Sequence, residues 1–267
     1  MATTTTRAKR SKRADDPTAG APARGGAVAK QSTKPGASRS RAPLFDAALL
    51  RFLGELTQNN DRAWFERNKP RYEQHVRGPA LDFIRAMAPR LARVAPHLVA
   101  SDQKVGGSLM RIHRDTRFSA DKTPYKTNVG IQFRHAAGKD VHAPGLYLHV
   151  EASEVFLGSG LWHPDRAPLE QIRQAIAGDP KRWRKATSGK PFAARWSFAG
   201  ESLKRPPRGY DPDHPAIEDL KRKDHIVVTP LSTDDLLAAD LPDRVLKRFR
   251  EALPHFQFLL DALGLPL

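Results

Sequence analysis

The sequence predicts an α+β fold: a single domain in which a mixed or antiparallel sheet is packed by N-terminal and C-terminal helices. Two observations carry this expectation. Apolar residues recur at helical spacing over 49–94, alternate in strand fashion beyond Gly107, and return to helical spacing near the C-terminus. Helices first, clustered strands next and helices last is the order of a sheet packed by segregated helices.

The elements follow in order. Leu49, Phe52, Leu53 and Leu56 define a first helix, with Asp46 as its N-cap. Asn59, Asn60 and Asp61 precede a short helix with Trp64, Phe65 and Asn68 on one side, which Pro70 is expected to break before the pattern resumes over 72–76 and stops at Gly78. Pro79 suits the first turn of a longer helix striped by Ile84, Met87, Leu91 and Val94. Residues 108–114 read as one strand and 129–134 as another. Leu146, Leu148 and Val150 alternate with Tyr147, His149 and Glu151, and 154–161 read as the hairpin partner across Ala152 and Ser153. Asp165 and Gly178 bracket a helix bearing Leu169, Ile172 and Ile176, and Asp179-Pro180 starts another bearing Trp183. Residues 190–215, rich in Pro and Arg, are expected to be irregular, and 226–229 to form a short strand. Ser232 with Asp235 resembles a capping box, and Val245, Phe249 and Leu253 begin the closing helices.

Residues 1–42 stand apart, with Val28 almost their only large apolar side chain. Such a segment cannot bury enough apolar surface to offset its ordering entropy, so a disordered basic tail is expected there and the domain over 43–267. Of the net charge of +16, the tail carries ten Lys or Arg against two Asp, or +8, and the domain the other +8. Both parts attract polyanions, so non-specific binding of nucleic acid through the tail is one reading of the charge. The chain has no cysteine, which removes disulfides, thiolate catalysis and cysteine-ligated metal and fits a cytoplasmic location. No apolar run reaches the roughly 18 residues of a membrane span.

The densest polar stretch is R-I-H-R-D-T-R-F-S-A-D-K-T-P-Y-K-T at 111–127. Arg111, Arg114, Arg117, Lys122 and Lys126 surround Asp115 and Asp121, with Ser119 and Tyr125 among them. Arg forks and Lys charges on a loop suit a phosphate or carboxylate, so an anionic small molecule is the expected ligand. The competing reading is a structural network in which Asp115 and Asp121 hold the arginines. On a strand over 108–114, Arg111 would share the sheet face of Tyr147, His149 and Glu151, with Met110 and Ile112 turned to the core.

This stretch, together with N-N-D-R-A-W-F-E-R-N-K-P-R-Y-E at 59–73, G-L-Y-L-H-V-E at 145–151 and G-S-G-L-W at 158–162, resembles an uncharacterised, mostly bacterial family known as domain of unknown function 2461. The resemblance runs from about Phe45 to the C-terminal helices and departs at His113, where the family pattern has a tyrosine-like aromatic. It implies a single α+β domain and transfers no activity.

Tyr147, His149 and Glu151 lie on the polar face of their strand. An imidazole and a carboxylate two residues apart can act as a general base and its orienting partner, which makes His149 and Glu151 the candidate catalytic pair and Tyr147 a candidate ligand contact. A metal would need a further ligand such as a second histidine, and no metal site is expected. Trp64, Phe65 and Tyr72 read as helix packing. Walker, dinucleotide, G-x-S-x-G and H-E-x-x-H motifs are missing, so the sequence identifies no cofactor and no reaction.

Overall fold

The computed structural model describes residues 42–138 and 143–267. The disordered tail expected over 1–42 falls almost wholly outside the described residues.

Helix α1 (Ala47–Gln58) begins where the Asp46 carboxylate accepts the backbone N–H groups of Ala48 at 2.8 Å and Leu49 at 3.3 Å. Its Leu49, Phe52, Leu53 and Leu56 are fully buried. Asp61 caps α2 (Arg62–Tyr72) by accepting from Trp64 N–H at 2.9 Å. The expected break at Pro70 does not occur. The helix runs through it, widens into a π-helical turn (Glu73–Arg77) and continues as α3 (Gly78–Leu91). Burial of Phe65, Tyr72, Val76 and Ile84 along this run outweighs the one hydrogen bond that proline withholds.

The five strands β1 (Asn128–Arg134), β2 (Gly145–Glu151), β3 (Val155–Leu161), β4 (Ser197–Ala199) and β5 (His225–Pro230) form one sheet in the order β1-β2-β3-β5-β4, antiparallel throughout. Edge strand β4 lies in the stretch expected to be irregular, which also holds the short α6 (Lys190–Ala193). Residues 108–114 form no strand of their own. Leu109 bridges to Ile131 on β1 and His113 bridges to Tyr125, so the segment leaves the sheet edge and pairs with its own return path.

Period-2 alternation gives the sheet two unlike faces. Ile131, Phe133, Leu146, Leu148, Val150, Leu157 and Val227 point into one core with α1, α3 and the closing helix α9 (Leu241–Ala262). A second cluster packs α4 (Arg166–Gly178), α5 (Pro180–Thr187) and α7 (Ile217–Leu220) against the far end of α9, around Trp183 and Phe258. The helical turn α8 (Thr233–Leu236), capped by Ser232, precedes α9. The opposite face carries Asn128, Gln132, Tyr147, His149, Glu151 and Phe156, interrupted by glycines. Among the described residues no helix is long and apolar enough to cross a membrane.

Candidate functional site

The 111–127 segment is anchored from beneath. Tyr125 is buried and stacks on Phe65 of α2, with ring centroids 4.1 Å apart and planes 20° from parallel. The Asn60 side chain clamps its backbone, donating to Tyr125 C=O at 3.0 Å and accepting Tyr125 N–H at 3.1 Å. Arg114 N–H donates to Pro124 C=O at 2.9 Å and Lys126 N–H to Ile112 C=O at 2.8 Å, which closes the neck of the loop.

Beyond the neck the charges neutralise one another. Arg114 bonds Asp121 and Thr123, and Arg117 grips Asp115 through two hydrogen bonds of 2.9 and 2.7 Å. These arginines hold both carboxyls down at about 2. Lys122 donates to Thr116 C=O at 2.9 Å. The tip is nonetheless exposed, with Phe118 94% accessible and Ser119 only partly covered beside it. Asp121 and Asp115 thus pair with Arg114 and Arg117 in a network that lies at the surface.

The face shared by Arg111 and Tyr147 is not formed. Met110 N–H donates to Gly130 C=O at 2.9 Å, and a Cβ placed on Gly130 would lie 2.9 Å from Met110 Sδ and 2.7 Å from the Tyr147 hydroxyl. Met110 therefore occupies the Tyr147 side, Leu109 and Ile112 pack toward the core, and Arg111 is exposed. The expectation rested on one unbroken strand, and the segment holds only isolated bridges.

On this Tyr147 face, away from the core, lies a cleft of about 430 Å³. Gly145, Gly158 and Gly160 form part of its floor, Tyr147, His149 and Phe156 rise from it, and Trp162, Met110 and Lys126 stand at its borders. A smaller cleft of about 330 Å³ opens between the loop neck and α1, and Lys126 and Asn128 border both. Burial, reinforced by nearby Arg111, lowers the Lys126 ammonium pKa from its usual range. Burial pushes the Tyr147 phenol up to about 12.

His149 is fixed by its neighbours. Its ring stacks on Phe156 at 4.5 Å and 11°, and Nδ1 lies 3.3 Å from the Tyr147 hydroxyl and 3.4 Å from Asn128 Nδ2. Burial lowers its pKa, with Glu151 pulling the other way, so the ring is held toward its neutral form. Glu151 Oε2 is 3.6 Å from Nε2, beyond hydrogen-bond length, and its Oε1 accepts from Thr127 Oγ1 at 3.0 Å. Glu154, across the hairpin turn, brings Oε1 to 3.9 Å from the same nitrogen.

The structure thus gathers Lys126, Tyr147 and His149 around one cleft, with Glu151 beside His149, and leaves Arg111, Arg117, Ser119 and Lys122 outside both clefts. Sequence reasoning missed Asn60, Met110, Glu154, Phe156 and Trp162 as site neighbours. The hairpin register could have shown Phe156, which directly faces His149.

No curated protein and no solved structure matches the chain. Residues 48–258 match the family described as conserved hypothetical protein (DUF2461), and the chain belongs to that family.

Proposed function

We propose that the domain binds a small organic anion on the sheet face turned away from the core, with an apolar body over the glycine floor and a carboxylate or phosphate at Lys126. Lys126 carries this reading. It is half-buried, borders both clefts, and has no carboxylate partner among the described residues. A desolvated ammonium without a counter-ion gains from any anion that reaches it. Arg114 and Arg117 are already occupied by Asp121 and Asp115, so they compete poorly for a ligand. Met110, Phe156 and Trp162 supply apolar edges, and among the polar lining groups Asn128 and the Tyr147 hydroxyl suit an orienting role.

A thermal-shift screen of carboxylated and phosphorylated metabolites tests this directly. Stabilising compounds are expected to combine an anionic group with an apolar or aromatic body. Lys126→Gln should remove their shift, and Arg117→Ala should leave it in place. The reverse pattern would move the anion to the loop tip, and a screen in which no anion stabilises the wild type would refute the reading.

A further inference from the structure

The β2–β3 hairpin carries a cluster that the organic-anion reading does not use. His149 and Glu151 share one face of β2, and Glu154 enters from the far side of the turn at Ala152 and Ser153. One ligating atom from each of the three lies within 4.8 Å of the others. His149 Nε2 is shut off from solvent and has no hydrogen-bond partner, at 3.6 Å from Glu151 Oε2 and 3.9 Å from Glu154 Oε1. Among the described residues neither carboxylate forms an ion pair with a lysine or arginine.

Two carboxylates converging on a desolvated imidazole nitrogen repel one another unless a positive charge lies among them. An imidazolium N–H would draw one oxygen to hydrogen-bond length, and neither is that close. The distances from Nε2 suit a metal instead. Zinc takes nitrogen and carboxylate oxygen at ~2.0–2.2 Å, so ligands at a tetrahedral angle stand roughly 3.4 Å apart, near the 3.6 and 3.9 Å from Nε2 to the two carboxylate oxygens. The far side of two ligands is held as metal ligands commonly are. With the proton on Nδ1, His149 donates toward the Tyr147 hydroxyl and leaves the Nε2 lone pair free, while Phe156 fixes the ring plane. Thr127 holds Glu151 Oε1 and leaves Oε2 for the cation.

We infer that His149 Nε2, Glu151 Oε2 and Glu154 Oε1 bind a divalent transition cation. Its chemical class follows from the donors: an imidazole with two carboxylates suits Zn²⁺ or Mn²⁺ better than an all-oxygen ion such as Ca²⁺. Three protein ligands leave at least one position for water or an exogenous group. From the sequence no metal site is expected, because one would need a further ligand such as a second histidine, and in this inference Glu154 takes that part.

Calorimetric titration of metal-stripped full-length protein with ZnCl₂ and with MnCl₂ tests the site. One equivalent of at least one of these ions should bind, with affinity reduced at least tenfold by Glu154→Gln and by Glu151→Gln. Glu154 is 61% exposed, so its variant should fold, and metal-free melting curves of both variants verify this. A wild type that binds neither ion overturns the inference, as does undiminished affinity in either folded variant. Metal stoichiometry does not involve the organic anion, so failure here is distinguishable from failure of the ligand reading.

Discussion

His225 and His255 show how much a single residue's surroundings decide. Both rings are fully buried, and neither nitrogen of either ring has a hydrogen-bond partner. Trp183 lies 6.0 Å from one ring and 5.6 Å from the other, and Phe192 and Phe198 flank His255. Burial holds both imidazoles at about 3, against 6.5 for a free histidine. Below about 6.5 the unfolded chain takes up protons that the folded chain refuses. Stability present above that pH is therefore lost as pH falls toward about 3, at roughly 1.4 kcal/mol per pH unit for each ring. Urea unfolding of the wild type and of His255→Leu between pH 7 and pH 5 checks this, and the variant should lose a smaller share of its stability over that range.

At the scale of elements, the connection between the α1–α2 turn and the loop neck matters most. Asn60 satisfies both backbone groups of Tyr125, and Phe65 stacks on its ring, so the residue next along the chain, Lys126, inherits its place from the α1–α2 turn and from α2. Asn60→Ala leaves a buried N–H and C=O without partners, which costs about 1–3 kcal/mol. The expected outcome is a lower melting temperature together with a reduced thermal shift from any organic anion that stabilises the wild type. A shift that survives at full size would show that Lys126 is placed without the clamp. The hairpin is equally constrained. Gly160 sits at φ +126°, where a Cβ would come within 2.0 Å of the His225 carbonyl oxygen, so only glycine lets β3 lie against β5 there.

At the scale of the whole molecule, charge and fold separate. The +8 of residues 1–42 sits on a segment with no apolar periodicity, while the remainder holds many of its charges in ion pairs such as Arg71–Glu55 and Arg90–Asp243 and keeps a further +8 beyond any pairing. Protein beginning at Ala42 should melt within about one or two degrees of full length. Affinity for duplex DNA should fall steeply with salt and weaken when residues 1–41 are removed. Sequence-selective binding that survives that removal at physiological salt would instead assign the domain a nucleic-acid site.

Local chemistry determined much of this protein before any tertiary contact is considered. Asp46, Asp61, Asp179 and Ser232 cap helices because their side-chain oxygens reach N–H groups only two or three residues away. The alternation from Leu146 to Glu151 determined which side chains leave the core, since strand side chains change face at every residue. Tertiary structure decided the rest. The run through Pro70 depends on burial against other elements, and residues 108–114 pair only briefly because the chain returns upon itself at Tyr125. That Lys126 borders the clefts without a carboxylate partner, and that Glu154 meets His149, depend on side chains brought together by loop closure and a hairpin turn. Those contacts are set by distances in space, which the spacing of residues along the chain does not encode.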